Sequence, residues 1–174
     1  MSPARSAVVD VFELARERRS ISGEIPVERL PRLAASLLKR DGVLAYAIRG
    51  EVDDRGHPGA EMRLSANLAL ECQRCNQELV YPLRRDARFR FVGSEDELNA
   101  LPIEDDEVDA VVGSRQMDVA AWVEDEAILS LPLVPRHDHC VPAVTPSAGA
   151  GVEEAERPNP FAALARLKGG RKPG

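Results

Sequence analysis

Apolar and polar residues alternate along residues 61–92, and this is the strongest pattern in the chain. Every second residue from Met62 to Cys72 is apolar, and polar residues fill most of the positions between them. The alternation resumes from Leu79 to Phe91, after a short Cys-Gln-Arg-Cys-Asn segment. A period of two is typical of a strand with one buried and one solvated face. The pattern therefore predicts a long antiparallel hairpin with two cysteines at its tip.

Weaker patterns predict further strands around this hairpin. Residues 43–53 have the composition of a strand, and the turn-forming residues 54–59 connect them to the hairpin. Residues 20–25 fit an edge strand that Pro26 ends, and residues 108–112 fit a short strand. Strands that follow one another in this way form an antiparallel meander.

Helix signals occur on both sides of the hairpin. An apolar stripe predicts a helix that begins at Pro31 and ends near Arg40, and Ser94 fits the cap of a second, short helix. Asp118 fits the cap of a third helix over residues 119–131. Three large side chains of this helix are expected to pack on the sheet: Trp122, Ile128 and Leu129.

These elements predict an α+β fold, in which an antiparallel β-meander with a long central hairpin packs against a few short helices. Residues 1–140 are predicted to form a single domain. Residues 141–158 are poor in large apolar side chains and are predicted to be a flexible acidic linker. Residues 159–174 are predicted to form a C-terminal helix and a basic tail.

The composition indicates a soluble protein of a reducing compartment. No apolar run approaches the roughly 18 residues that span a bilayer, and the N-terminus lacks the apolar region of a signal peptide. The 3 cysteines are too few for a disulfide framework. A cytoplasmic location without membrane contact is expected.

The net charge of −6 conceals an uneven distribution of charge along the chain. Residues 93–134 contain 1 Lys/Arg against 12 Asp/Glu, whereas residues 1–92 contain 16 against 13. Such asymmetry suggests one face for an anionic partner and another for a basic protein. Solubility is the simpler explanation of the acidic residues, including Glu124–Glu126. The residues predicted to bind a basic protein are Asp105, Asp106, Glu107 and Asp109.

Arginines follow the predicted solvated face of the hairpin. Arg84, Arg88 and Arg90 lie on the same face of one strand, where alternate residues are about 6.6 Å apart. Arg63 on the other strand and Arg74 at the tip extend this stripe. Arginines on a sheet can contact RNA phosphates. The alternative is an ordinary solvated face, whose arginines pair with acidic neighbours, namely Glu61, Glu71 and Asp86.

The Cys72-x-x-Cys75 pair has the spacing with which two thiolates bind one Zn²⁺ ion. A tetrahedral site needs two further ligands, and the His-Asp-His-Cys segment 137–140 supplies candidates. We predict Cys140 and His139 as these ligands, with His137 as the alternative to His139. The competing interpretation is two partly buried thiols at a tight turn.

Five short motifs occur in order along the chain, and together they resemble one family. They are Leu70-Glu71-Cys72-Gln73-Arg74-Cys75, Val123-Glu124-Asp125-Glu126, Leu131-Pro132-Leu133-Val134-Pro135, His137-Asp138-His139-Cys140 and Pro158-Asn159-Pro160-Phe161-Ala162. In this order and spacing they resemble the YceD family, whose members are called large ribosomal RNA subunit accumulation proteins. The resemblance extends from Val11 to about Lys168. It implies a role in the accumulation or processing of 23S rRNA, and so in assembly of the large ribosomal subunit.

No nucleophile–base pair, Walker loop or dinucleotide fingerprint occurs in the sequence, so we expect no enzymatic activity. Together with the resemblance, this predicts a ribosome-biogenesis factor that contacts pre-rRNA or a pre-ribosomal particle. The alternative is a chaperone of one basic ribosomal protein that does not contact RNA. A ribonuclease is disfavoured, because no His/Lys/Glu cluster is close in sequence.

Overall fold

The computed structural model describes residues 8–102 and 108–143 of the chain. The elements given below lie in the unit Met1–Val141, one of two units into which the chain divides; the other is Pro142–Gly174. Apart from residues 141–143, the predicted linker and the predicted C-terminal helix lie outside the described residues. None of the described helices is long and apolar enough to span a membrane.

Among the described residues, seven strands form two sheets. The short strands β1 (Val8–Val9) and β7 (Met117–Asp118) pair with each other. The larger sheet contains β2 (Ser20–Pro26), β3 (Val43–Val52), β4 (Pro58–Glu71), β5 (Glu78–Val92) and β6 (Asp109–Val112). Its first four strands are antiparallel in chain order, whereas β6 pairs parallel with β5. The predicted α+β class, meander and central hairpin are confirmed.

Besides a 3-10 helix at Val27–Arg29, the same part of the chain contains four short α-helices: α1 (Val11–Arg16), α2 (Pro31–Ala35), α3 (Glu95–Ala100) and α4 (Val119–Leu129). Local caps begin three of them, because the side chains of Asp10, Ser94 and Asp118 accept hydrogen bonds from backbone N–H groups of the first turn. Of these three caps, Ser94 and Asp118 were predicted from the sequence.

The helix predicted from Pro31 to Arg40 is shorter in the structure and ends at Ala35. Beyond it, the N–H group of Leu38 donates to the carbonyl of Ala69 at 2.8 Å instead of bonding within a helix. A contact with β4 therefore replaces the expected last turn of the helix.

The helix α4 packs on one face of the sheet through an arc of residues centred on Val123, which is fully buried. Trp122 is buried beside it, with its ring 5.0 Å from Phe89 and 5.8 Å from Phe91 between ring centroids. Leu129 was expected on the sheet, but it lies about 120° from Val123 around the helix. Its side chain is 79% exposed, so this expectation is wrong.

Two buried carboxylates of α4 anchor the neighbouring elements, although the sequence favoured a role for them in solubility. Glu124 accepts hydrogen bonds from the backbone N–H groups of Arg32 at 2.7 Å and Leu33 at 3.1 Å. It therefore caps α2, whose own N-cap residue provides no side-chain hydrogen bond.

Glu126 accepts a hydrogen bond from Arg85 Nε at 2.6 Å. Because Arg85 pairs opposite the buried Leu64, it lies on the core face and not with the other hairpin arginines.

Candidate metal centre and nucleic-acid interface

The hairpin between β4 and β5 ends in a tight knuckle, which turns its two cysteines to the same side. The N–H group of Asn76 donates to the carbonyl of Cys72 at 2.9 Å, and that of Cys72 donates to Gln77 at 2.9 Å. Asn76 has φ of 55°, a left-handed conformation that asparagine tolerates better than most residues. Both Cys72 and Cys75 are buried.

Four potential ligands converge at this knuckle, and we call them the Cys–His cluster: Cys72, Cys75, His137 and Cys140. Their ligand atoms all lie within 4.8 Å of one another. The Sγ atoms of Cys72 and Cys140 are 3.8 Å apart, and Cys75 Sγ is 3.4 Å from His137 Nδ1. Three thiols and one imidazole in such proximity could hold a metal ion.

The histidine of the cluster is His137, and His139 is not among its four members. The Nε2 atom of His137 lies 3.1 Å from the carbonyl oxygen of Glu78. When Nε2–H donates to this carbonyl, the lone pair of Nδ1 faces the three sulfur atoms. Such an outer hydrogen bond is typical of histidines that bind metals, because it fixes the tautomer and the orientation of the ring.

The surroundings of Cys72 lower the pKa of its thiol and so favour the thiolate. Burial opposes its ionisation, but the backbone N–H groups of His137, Arg74 and Cys75 hydrogen-bond to the sulfur and lower its pKa to about 5. The pKa of Cys75 is raised, first by burial and also by the nearby thiols of Cys72 and Cys140. The thiolate is the form of cysteine that binds metals, and neighbouring thiolates repel one another. A cation bound between these sulfur atoms is therefore favoured.

Arg74, one of the arginines predicted to contact RNA, contacts the cluster in the structure. Its Nε donates to Cys140 Sγ at 2.9 Å, and its Nη2 donates to the carbonyl oxygens of His137 at 2.7 Å and Asp138 at 3.3 Å. The side chain therefore connects the hairpin tip to the segment that contributes the other two ligands.

The face of the sheet opposite α4 is called here the open face. Its central positions on β3, β4 and β5 are exposed or half-buried, and most of them are polar. A depression of about 350 Å³ lies there, where Ala45, Ala47 and Ser65 keep the surface low between Arg63 and Arg84. The aromatic residues of β5 lie on the other face, with the core. The open face can therefore offer guanidinium groups to an anionic partner but no aromatic stacking platform.

The arginines predicted to bind RNA differ in whether they form ion pairs with acidic residues. Arg63 pairs with Glu61 at 3.3 Å and with Asp86 at 3.2 Å, as the alternative interpretation of this face expected. Arg90 is half-buried and lies 3.7 Å from Asp53. Within residues 8–102 and 108–143, the exposed Arg84 and Arg88 form no ion pair, and neither does Arg49 on β3. Sequence patterning missed Arg49, although its position two residues after Ala47 on a predicted strand placed it on this face.

Of the four acidic residues predicted to bind protein, only Asp109 lies in the described part of the chain. It is exposed on β6, and its Oδ2 is 3.8 Å from Arg85 Nη2. Asp105, Asp106 and Glu107 lie outside the described residues. On α3, the first-turn residues Glu95 and Asp96 are also exposed.

Comparison with known proteins identifies the family. The family model described as "Large ribosomal RNA subunit accumulation protein YceD" matches residues 60–168, a region that contains all but the first two residues of the hairpin and all four members of the Cys–His cluster. The chain belongs to the YceD family. The protein of that name from Haemophilus influenzae is 34% identical over an alignment of 169 residues, and the match covers 92% of this chain and 94% of the relative.

The YceD family takes its name from large ribosomal RNA subunit accumulation, so the resemblance inferred from the short motifs is confirmed. Two of those motifs have clear structural roles in this chain. The Cys-Gln-Arg-Cys motif forms the knuckle, and the Val-Glu-Asp-Glu motif supplies the buried carboxylates of α4. No solved structure matches the chain.

Proposed function

We propose that the protein is a non-enzymatic ribosome-biogenesis factor of the cytoplasm. It supports accumulation and processing of 23S rRNA, and so assembly of the large ribosomal subunit, by contacting pre-rRNA or a pre-ribosomal particle. The name of the YceD family supports the pathway. The observation that supports direct RNA contact is the open face, where Arg84 and Arg88 are exposed without acidic partners among the described residues.

Phosphates are the RNA groups that suit this face. Arg84 and Arg88 lie about 13 Å apart along β5, and Arg49 lies in the same row as Arg88, two strands away. Guanidinium groups spread over a flat sheet can follow a flexible anionic chain. On β3, β4 and β5, no aromatic side chain lies between these arginines on the open face, so base recognition by stacking contributes little. The expected binding is weakly sequence-specific and strongly salt-dependent.

Removing the two unpaired arginines tests this function. The double variant Arg84→Ala/Arg88→Ala should fold normally, because both side chains face solvent. Its affinity for 23S rRNA fragments should fall, and the slope of log K against log salt should decrease by about 1.4, or about 0.7 for each phosphate that is no longer neutralised. Fluorescence anisotropy over a series of salt concentrations measures both quantities.

The matched control is Arg16→Ala/Arg115→Ala, which removes the same charge from exposed positions on α1 and before β7. If RNA binds through the open face, this control keeps most of the wild-type slope and restores 23S rRNA levels in cells that lack the protein. Equal losses in the two double variants would indicate only a general charge effect. Unchanged binding in Arg84→Ala/Arg88→Ala would show that RNA does not bind at this face.

The Cys–His cluster has a structural place in this proposal, with Zn²⁺ as the cofactor. Zn²⁺ is the ion favoured by three thiolates and one imidazole in tetrahedral arrangement. Four protein ligands leave no coordination position for water or substrate, and an open position is what a catalytic zinc requires. The cluster is therefore consistent with a non-enzymatic factor.

A second candidate function is binding of a basic ribosomal protein through the acidic region. The exposed Glu95 and Asp96 on α3 favour it, within the segment 93–134 that contains 12 acidic residues. The predicted contacts are Asp105, Asp106, Glu107 and Asp109.

Neutralising Asp105, Asp106 and Glu107 to the corresponding amides should weaken recovery of large-subunit proteins in a pull-down at low salt, since this attraction is electrostatic. The control neutralises Glu13 and Glu17, which are exposed on or next to α1. Undiminished recovery with the Asp105/Asp106/Glu107 variant would contradict the second function.

A further inference from the structure

Residues 133–141 have little apolar contact with the other described residues, whereas Leu131, just before them, packs against the core. Leu133 is 100% exposed, Val141 is 79% exposed and Val134 is 52% exposed. Hydrophobic burial therefore contributes little to holding this segment in place. Its attachments at the hairpin tip are polar: the hydrogen bond from Gln73 N to Pro135 O at 2.9 Å, the hydrogen bonds from Arg74, and the Cys–His cluster.

We infer that a closed, structural Zn²⁺ site at the Cys–His cluster fastens residues 133–141 to the hairpin tip, and that Arg74 is the positioning residue of this site. The inference deepens the proposed function by relying on its assignment of Zn²⁺, and it is independent of RNA binding at the open face. Two ligands, Cys72 and Cys75, come from the hairpin, and two, His137 and Cys140, come from the segment. One ion would thus join parts of the chain more than 60 residues apart.

Two pairs of ligand atoms have nearly the spacing of a tetrahedral zinc site. With Zn–S bonds of about 2.3 Å, two sulfur ligands of a tetrahedron lie about 3.8 Å apart. The Sγ atoms of Cys72 and Cys140 are separated by 3.8 Å. With a Zn–N bond of about 2.05 Å, the corresponding sulfur–nitrogen separation is about 3.6 Å, and Cys75 Sγ is 3.4 Å from His137 Nδ1. These two pairs therefore already have nearly the separation that Zn²⁺ requires, and the remaining pairs, which lie within 4.8 Å, need to close by about 1 Å at most.

The contacts of Arg74 fit the charge of such a site. Three thiolates and a neutral imidazole around a divalent cation leave one net negative charge. The guanidinium of Arg74 lies against Cys140 Sγ, where it offsets this charge, while its Nη2 holds the carbonyl oxygens of His137 and Asp138. The same side chain thus stabilises the thiolate and sets the backbone path between the last two ligands. Arg74 is a positioning residue because it acts through the ligands.

The two histidines of the segment provide a matched pair of variants for the metal site. Protein purified without chelators should contain about one equivalent of zinc by mass spectrometry. His137→Ala should lose most of this zinc, whereas His139→Ala, which changes an exposed residue outside the cluster, should keep it. Substitution with Co²⁺ should produce the absorption bands of tetrahedral thiolate coordination in the wild type and in His139→Ala.

Arg74 is tested by its effect on metal affinity. Residues that hold metal ligands from outside typically change affinity by 10–100-fold when they are replaced. We expect Arg74→Ala to weaken Zn²⁺ binding by about this factor in competition with a chromophoric chelator. Arg74→Lys should recover part of the loss, since lysine restores the charge but not the two separate donor groups of the planar guanidinium. Arg136→Ala removes an exposed charge from the same segment and should leave the affinity unchanged.

Chelation should release the segment without unfolding the sheet. Hydrogen exchange at residues 133–140 should increase after removal of zinc, while β3, β4 and β5 keep their protection. A wild-type protein without zinc or a cobalt spectrum, or one whose cysteines form a disulfide, would overturn the zinc site. Equal Zn²⁺ affinity of Arg74→Ala and wild type would overturn the role of Arg74. Neither result depends on RNA, so failure here is distinguishable from failure of the proposed function.

Discussion

Replacing Glu124 with alanine should lower the free energy of unfolding by about 3 kcal/mol. Its carboxylate is buried and accepts hydrogen bonds from two backbone N–H groups of α2, those of Arg32 and Leu33. Alanine leaves both donors without a partner, and it also removes the ion pair with Arg32 Nε at 3.0 Å. The expected fall in Tm is roughly 10 °C. Thermal unfolding followed by circular dichroism measures it.

Two further variants separate the cap from the charge. Glu124→Gln keeps an oxygen that can accept both N–H bonds, so it should cost clearly less than Glu124→Ala. Asp125→Ala removes only an exposed partner of Arg32 and should change stability by about 0.5 kcal/mol or less. A Glu124→Ala variant as stable as Asp125→Ala would show that the tertiary cap of α2 contributes little.

Replacing Gly50 with alanine should destabilise the protein by roughly 3 kcal/mol. A Cβ atom at this position would lie 2.0 Å from the carbonyl oxygen of Leu14 and 2.8 Å from the backbone nitrogen of Ala15. These are backbone atoms of α1, and both residues are fully buried, so the helix must move away from β3. Denaturation in urea, followed by the fluorescence of the buried Trp122, measures the loss.

The matched control for Gly50 is Gly93→Ala. The nearest atom to a Cβ there is Oε2 of Glu97 at 3.3 Å, at the end of a flexible side chain that can move. We expect a change within about 1 kcal/mol. If the two alanine variants are equally stable, then the close approach of α1 to β3 is not needed for the fold.

Local patterns determined the framework of the fold. The period of two over residues 61–92 predicted β4 and β5 and the face that each of their alternate residues occupies. Asp118 and Ser94 predicted two helix starts. These features depend on residues that are neighbours in sequence, which is why periodicity and capping residues are sufficient to find them. The family was also evident from short motifs in order.

Tertiary structure alone decided which polar side chains serve the interior. Arg85 follows Arg84 directly, yet it pairs with the buried Glu126, 41 residues away, whereas Arg84 faces solvent. From the sequence alone, the acidic residues of α4 are expected to be solvated. The hydrogen bonds from α2 to Glu124 show that this residue is a helix cap. Composition does not distinguish a solvated carboxylate from a buried one, because the difference lies in distant donors.

The Cys–His cluster combines both kinds of information. The two cysteines of the knuckle were predictable, since a tight turn places them side by side whatever the rest of the chain does. The choice between His137 and His139 was not predictable, because it depends on the path of the chain after Pro135. A hydrogen bond from Gln73 and the contacts of Arg74 hold this part of the chain at the hairpin tip. The sequence thus determined which residue types could bind a metal, and the tertiary path of one segment decided which histidine reaches the sulfur atoms.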